Sequence, residues 1–199
     1  MSTLRLIRYG AWVLVAVAAI AAAVYFVVPS FTKKDGVVTI GGPFSLTDQN
    51  GATVTEAALQ GHPSLIYFGY TFCPDVCPTT LFDATNWMKA LGPDADKLRF
   101  FFVTVDPARD TQQVMGQYLQ AFDHRMIGLT GSPDAVDKAL KAFRIYARKV
   151  DGENGSYTMD HSASVYMFDS KGKFTGVIAY QEPEEQVLPK LRKLVADSG

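Results

Sequence analysis

Sulfur and imidazole donors are scarce in this sequence: its 199 residues include two cysteines and three histidines. A zinc site normally takes four protein ligands when structural and three plus water when catalytic, so two sulfurs cannot complete one by themselves. The net charge of −1 at pH 7 gives no global basic field that would point to nucleic acid or to anionic lipid. Internal repeats and low-complexity blocks are also lacking. The two thiols are therefore the most informative residues.

Charge is missing from one long stretch near the N-terminus. Residues 9–28 form an apolar run of about 20 residues, which is enough to cross a bilayer as a helix. Arg5 and Arg8 precede this run and Lys33 and Lys34 follow it, so the positive-inside rule is nearly tied and the short tail favours a cytoplasmic N-terminus. A cleaved signal peptide is the competing interpretation, but the run is longer than a usual signal core.

These features predict four segments. Residues 1–8 form a short cytoplasmic tail, 9–28 a transmembrane anchor, 29–36 a tether, and 37–199 a folded domain with the size of one hydrophobic core. A long, acid-poor leader of the kind that targets organelles does not precede the anchor. The sequence thus predicts a single-pass protein of the bacterial inner membrane with its soluble domain in the periplasm.

Strands and helices are expected to alternate in the folded domain. Asn50-Gly51 predicts an N-terminal β-hairpin, and Pro133 suits a helix start. In chain order, the predicted elements are the hairpin of residues 44–46 and 53–54, a strand at 65–70, a helix at 78–91, a strand at 98–105, a helix at 111–122, a strand at 126–129, a helix at 133–143, a hairpin at 164–168 and 174–179, and a helix at 184–196. This order predicts an α/β thioredoxin-like fold with an N-terminal β-hairpin extension, preceded by one transmembrane helix.

Both cysteines follow the predicted strand at 65–70. Cys73 falls in the loop, and Cys77 falls at the N-cap of a helix that begins with Pro78. Free N–H groups and the helix macrodipole favour an anion at that end, so both sulfurs are expected to be more acidic than a free cysteine. The pair is suited to thiolate chemistry.

The spacing of the cysteines bears on which chemistry they perform. Three residues separate Cys73 from Cys77, whereas redox enzymes of this type usually carry two, so the spacing favours metal binding over disulfide exchange. Soft thiolates suit Cu(I) or Zn(II). His161 is the best-placed third ligand, in a loop just before a predicted core strand; with two sulfurs it would give three-coordinate Cu(I), and Cu(II) could add an oxygen. A structural disulfide is the plainer alternative.

Other polar residues are ambiguous from the sequence. His62 and His124 are interpreted as surface residues. Met159 either packs or lends a thioether to copper, and Asp160 is expected to orient His161 or to cap a turn. The motif at residues 106–111, Asp-Pro-Ala-Arg-Asp-Thr, either caps the following helix or forms a partner surface near the cysteine loop.

Three motifs together resemble the Sco/SenC copper chaperones, which take part in cytochrome c oxidase assembly. They are YFGYTFCPDVCP at residues 67–78, VDPARDT at 105–111 and DHS at 160–162. The resemblance implies that Cys73, Cys77 and His161 hold copper, as Cu(I), Cu(II) or both. It also implies delivery of that copper to the dinuclear centre in the copper-bearing subunit of the oxidase.

The same resemblance implies a metallochaperone rather than an enzyme, with other periplasmic copper carriers as further partners. The alternative is a thiol-disulfide oxidoreductase that reduces the cysteines of the target copper site, with Cys73 and Cys77 cycling through a mixed disulfide. A peroxidase of related fold is disfavoured because no resolving cysteine lies on another element.

Overall fold

The computed structural model describes residues 9, 11–22 and 39–197. The chain divides into two compact units, at residues 1–38 and 39–199. In the first unit, residues 11–22 are helical and exposed. Among the described residues, no helix has the length and apolar character needed to span a bilayer. The other residues of the predicted anchor lie outside the described ones.

The second unit alternates strands and helices as the sequence predicts. In chain order its elements are β1 (Ser45–Asp48), β2 (Thr53–Thr55), β3 (Ser64–Gly69), α1 (Val76–Leu91), β4 (Arg99–Thr104), α2 (Gln112–Leu119), β5 (Met126–Thr130), α3 (Pro133–Phe143), β6 (Ala147–Asp151), β7 (Tyr157–His161), β8 (Val165–Phe168), β9 (Phe174–Ile178) and α4 (Glu184–Ala196).

Seven of the strands within residues 39–197 form one sheet, in the order β2-β1-β5-β4-β3-β8-β9. β3 pairs in parallel with β4, and β4 with β5, while β8 and β9 add antiparallel strands at one side. The N-terminal hairpin of β1 and β2 joins the other side through β5. This arrangement confirms both the thioredoxin-like order and the N-terminal hairpin extension.

The two central strands are covered on both faces, as their continuous apolar sequences predict. Every residue of β3 is buried. Because successive side chains of a strand point to opposite faces, Phe68 packs against Phe143 of α3 on one side. On the other side Tyr67 stacks on Phe102, whose ring meets Tyr118 of α2. The carboxyl ends of β3 and β4 are thereby fixed in place.

Helix α1 begins earlier than predicted. It starts at Val76, so Cys77 lies inside its first turn rather than at the N-cap, which is Asp75. Pro78 does not delay the start because the first N–H groups of a helix have no intrahelical partner, and a proline there loses nothing. The helix ends as predicted at Gly92, whose φ is 60°. Pro189 lies inside α4, which continues through it.

A second sheet of two strands, β6 and β7, lies outside the sequence prediction. It places His161 at the end of a strand, whereas a loop was predicted. Every residue of both strands is partly or fully exposed. In β7 the partly buried Tyr157 and Met159 alternate with exposed residues over only five positions, and β6 shows no such alternation, so the usual signal of a half-buried strand is weak here. We call these two strands and their turn, residues 147–161, the histidine hairpin.

Candidate metal centre

Two distant parts of the chain bring the predicted ligands together. Cys73 lies in the loop after β3, Cys77 in the first turn of α1, and His161 at the end of the histidine hairpin. One ligand atom from each of the three residues lies within 4.8 Å of the others. Both cysteines are free thiols rather than partners in a disulfide. The sequence prediction of a convergent sulfur and imidazole cluster therefore agrees with the geometry.

The Cys73 sulfur is the acidic member of the pair. The Cys77 side chain is its main hydrogen-bond partner and is the largest cause that lowers the pKa of Cys73 to about 3, against the opposing effect of burial. The backbone N–H of Cys77 also donates to this sulfur, at 3.4 Å. Cys73 is half-buried, so solvent reaches a thiolate held at the start of a helix.

The Cys77 sulfur behaves in the opposite way, which corrects the expectation that both thiols are acidic. Its hydrogen bond with Cys73 and its burial both raise the pKa of Cys77, and its exposed fraction is 0%. Two anions cannot sit side by side in an apolar pocket, so the pair holds one proton between them. A bound cation would replace that proton, because metal binding requires the deprotonated thiol.

The imidazole of His161 is oriented by a backbone carbonyl. Nδ1 lies 2.9 Å from the carbonyl oxygen of Ser162, which can only accept, so this nitrogen carries the proton. Nε2 then keeps its lone pair, 3.5 Å from the Cys77 sulfur. The Asp160 carboxylate instead faces Arg148 at 3.3 Å. The orienting role expected for Asp160 therefore belongs to the Ser162 backbone.

Aromatic rings enclose the imidazole. The rings of Tyr70 and His161 meet edge to face, with centroids 5.8 Å apart, and the Tyr67 ring lies at 6.3 Å. Tyr67 is fully buried, and burial raises its pKa above the ordinary value. It therefore remains a neutral phenol beside the sulfurs. These rings limit the rotation of the His161 side chain and exclude water from part of the site.

The motif at residues 106–111 does more than cap a helix. Thr111 does cap α2, since its side chain accepts from the Val114 N–H. Asp110 is fully buried and binds the cysteine loop. Its carboxylate accepts the Thr71 N–H at 3.1 Å and the Thr71 hydroxyl at 2.6 Å. The Thr104 hydroxyl donates to the same carboxylate at 2.7 Å.

Asp110 was missed as a site residue because its partner Thr71 lies 39 positions away. One signal was available: the carboxyl ends of adjacent parallel strands meet at the same edge of a sheet. β3 leads into the cysteine loop and β4 leads into the 106–111 motif. That adjacency supports the sequence interpretation that puts the motif near the cysteine loop, and it could have indicated Asp110 as a contact of that loop.

The other histidines, and Met159, were also weighed as ligands from the sequence, and the two histidines do not belong to the cluster. The side chain of His124 is 90% exposed, in keeping with its surface interpretation, and His62 is half-buried near a cleft with Asp94 and Arg192. Met159 is half-buried and packs against the core. Packing is therefore the role that the structure gives this methionine.

The Cys77 sulfur fills the space that a side chain at Gly69 would need. A Cβ atom built at Gly69 would lie 2.8 Å from the Cys77 sulfur and 2.8 Å from Cε2 of Phe102. We expect Gly69→Ala to displace the sulfur or the ring, to cost about 1–3 kcal/mol of unfolding free energy, and to weaken metal binding. Urea unfolding and metal competition on the same samples measure the two effects.

Gly116→Ala is the matched control for that substitution. Gly116 lies inside α2, where an added Cβ would meet Gln49 at an ordinary 3.6 Å. Alanine in a helix interior is expected to stabilise the protein by about 0.5–1 kcal/mol. Equal metal affinity in the Gly69→Ala variant and the parent would contradict the packing role given to Gly69.

The donor set determines which cations fit. Two sulfurs and one imidazole nitrogen form a soft, three-coordinate set that suits Cu(I). A structural zinc site needs a fourth protein ligand, and the group within 4.8 Å found among the described residues contains three. The residues present therefore match copper better than structural zinc.

The sequence model of the SCO1/SenC family matches residues 32–196. The chain belongs to this family. Its relatives include "Protein SCO2, mitochondrial" of Saccharomyces cerevisiae, 40% identical over 164 residues, which cover 80% of this chain and 54% of the yeast protein. "Protein SenC" of Rhodobacter capsulatus is 41% identical over 135 residues, 66% of this chain and 60% of that protein.

Solved structures of family members share the fold. The copper-bound structure of Bradyrhizobium japonicum ScoI superimposes with a TM-score of 0.74 at 46% identity, covering 78% of this chain and 99% of that one. The copper-bound structure of yeast Sco1 gives a TM-score of 0.73 at 35% identity, covering 79% of this chain and 89% of that one. Both family members bind copper on this scaffold, and the three-donor cluster lies on the same scaffold here.

Proposed function

We propose that this chain is a copper metallochaperone that delivers copper to the dinuclear centre in the copper-bearing subunit of cytochrome c oxidase. The observation that carries the proposal is the convergence of Cys73, Cys77 and His161, whose ligand atoms lie within 4.8 Å of one another. Membership of the SCO1/SenC family supports it, as do the copper-bound relatives.

The three ligands differ in how they take and release the cation. Cys73 is already a thiolate and half-exposed, so it makes the first contact. Cys77 gives up its proton as the cation arrives, and Nε2 of His161 offers its lone pair without losing a proton. Ligands of the target replace the exposed donors first and the buried Cys77 last. Copper thereby passes by ligand exchange without release to water.

A second candidate function is reduction of the target's cysteines, which one observation favours. Cys73 combines a low pKa with solvent access, as an attacking thiolate does, while the buried Cys77 could resolve the mixed disulfide. The same two thiols would serve both functions, and His161 would serve copper binding only. Substitution of His161 therefore separates the two functions.

We also propose that the domain is held at the bacterial inner membrane and faces the periplasm. Residues 9–28 form one uncharged run. Within its described part, Trp12, Leu14 and Ile20 are 68%, 72% and 64% exposed. Burying side chains of this kind in lipid is favourable.

His161→Ala is expected to weaken Cu(I) binding by about 10- to 100-fold, because one of three ligands is lost, and to leave the thiol redox potential nearly unchanged. Affinity is measured by competition with a chromophoric Cu(I) chelator, and the potential by equilibration with glutathione. Adding Cu(II) to the reduced parent is expected to give a thiolate-to-copper charge-transfer band, which should shift in the variant.

His124→Ala is the matched control, since it removes an imidazole whose side chain is 90% exposed. It should leave both affinity and potential at the parent values. If the His161→Ala protein holds copper as tightly as the parent, the three-ligand centre is wrong and the reductase function becomes the favoured one.

A further inference from the structure

The histidine hairpin carries a ligand but lies outside the main sheet. Its strands β6 and β7 pair with each other in a separate sheet, and none of the residues described in them is buried. A two-stranded hairpin is at best marginally stable in water on its own, and the apolar contacts of this one with the core come from the partly buried Ala147 and Met159. Contacts outside the hairpin must therefore fix where His161 lies.

Arg109 makes the main polar contacts to the far end of this hairpin. Its Nη1 donates to the carbonyl oxygen of Tyr157 at 3.1 Å, and its Cζ lies 3.6 Å from the centroid of the Tyr157 ring. Nε forms an ion pair with Asp106. The Tyr157 hydroxyl donates to the same carboxylate at 3.0 Å. Asp106 thus holds both the arginine and the tyrosine.

The guanidinium also reaches the cysteine loop. Its Cζ lies 4.8 Å from the centroid of the Phe72 ring and 5.6 Å from that of Tyr70. Phe72 directly precedes Cys73, and the Tyr70 ring packs against His161. A cation–π contact is stronger when the cation is shielded from water, and the Arg109 side chain is only 23% exposed. One side chain therefore bridges the two segments that carry the ligands.

Because Arg109 binds the hairpin far from its base, this contact controls the position of the His161 imidazole. The base of the hairpin is fixed next to His161, where the backbone N–H of Ser162 donates to the carbonyl oxygen of Tyr146 at 3.1 Å. Tyr157 lies four residues from His161 along an extended strand, roughly 13 Å away. Release at Tyr157 leaves the hairpin held by its base and by the half-buried Met159, about which it can pivot. Such a pivot moves the imidazole relative to sulfurs that stay with the main sheet.

We propose that Arg109 is a positioning residue that latches the histidine hairpin onto the cysteine loop and so sets the place of His161 in the copper centre. The inference rests on the proposed function, because it assigns Arg109 an effect on copper through His161. Arg109 does not ligate the cation. It acts through its planar, five-donor guanidinium, which lysine cannot reproduce.

A double-mutant cycle in the full-length chain tests the latch. Arg109→Ala should lower Cu(I) affinity by about 10- to 100-fold, the range for residues that orient a ligand. In a His161→Ala background the same substitution should add almost nothing, because the positioned ligand is already gone. Arg109→Lys keeps the charge and should recover only a small part of the affinity.

Hydrogen exchange gives a readout that does not depend on copper. Amides of residues 157–161 should exchange faster in Arg109→Ala than in the parent, while those of β3 and β4 stay protected. Arg125→Gln is the control: its guanidinium is 22% exposed and paired with Asp123 and Asp96, remote from the hairpin. It should alter neither copper affinity nor exchange at 157–161.

Results that contradict the latch can be told apart from results that contradict the proposed copper function. Unchanged exchange at 157–161, full recovery by Arg109→Lys, or an undiminished Arg109→Ala effect in the His161→Ala background would each overturn the latch. If instead His161→Ala binds copper like the parent, the three-ligand function fails. The exchange experiment then still decides whether Arg109 holds the hairpin.

Discussion

Cys77→Ala is expected to weaken Cu(I) binding by at least about 100-fold. Four-ligand structural metal sites are worth about 10–16 kcal/mol, or roughly 3 kcal/mol per ligand, and each 1.4 kcal/mol is tenfold in affinity. Cys77 is fully buried beside the His161 imidazole, so no neighbouring water can readily take its place. Competition against a Cu(I) chelator measures the loss.

The same substitution should also change the reactivity of Cys73. The hydrogen bond with the Cys77 side chain is the largest cause of the lowered pKa of Cys73. Because that bond favours the charged thiolate, its removal raises the pKa towards the ordinary value of about 8.5. The rate of alkylation by iodoacetamide should be flat from about pH 5 upwards in the parent and should climb between about pH 6 and 9 in the variant.

Cys77→Ser separates the two roles of this residue. Its hydroxyl can still donate to the Cys73 sulfur, so the alkylation profile should stay close to that of the parent, while copper binding should still be lost. A flat profile in Cys77→Ala would show that another group acidifies Cys73. Copper affinity equal to the parent in both variants would remove Cys77 from the ligand set.

The residues that the sequence places correctly are those whose signal is local. Apolar runs identify β3 and β4 because both faces of these strands are covered. Ser132 and Pro133 start α3, and Gly92 ends α1, by rules of helix capping that need only neighbouring residues. The cysteine loop is placed correctly because it joins two such elements, although α1 begins at Val76 rather than at the predicted Pro78.

The features missed from the sequence depend on distant partners. The histidine hairpin has only a short alternation in β7 and none in β6, so its pairing follows from the position of the rest of the fold. The raised pKa of Cys77 depends on burial and on a second sulfur at close range. The three motifs of the family do imply the ligand set. They do not reveal that Arg109 contacts Tyr157, 48 positions later.

Asp110→Ala is expected to have the largest effect on stability. The substitution leaves the Thr71 N–H, the Thr71 hydroxyl and the Thr104 hydroxyl without their acceptor. Each buried donor without a partner costs about 1–3 kcal/mol, and the hydroxyls can rotate, so we expect a total of about 3–5 kcal/mol in urea unfolding. Copper affinity should fall too, because Thr71 fixes the loop two residues before Cys73.

Asp48→Ala is the control, since this carboxylate also accepts two backbone N–H groups, but in the exposed turn between β1 and β2. Its expected cost is about 1 kcal/mol, with copper affinity unchanged. A loss in Asp110→Ala no larger than that in Asp48→Ala would show that the buried carboxylate does not hold the cysteine loop.

Asp110→Asn tests the charge of the same group. Burial is the main cause that raises the pKa of Asp110 above its ordinary value. A carboxyl whose pKa is raised by folding contributes its stability fully below the unfolded value of about 3.9 and loses it as pH rises through the folded pKa. The stability advantage of the parent over Asp110→Asn should therefore shrink as the pH rises above about 4. An advantage that grows over this range would mean that the ionised carboxylate, rather than the protonated one, is the form that the fold stabilises.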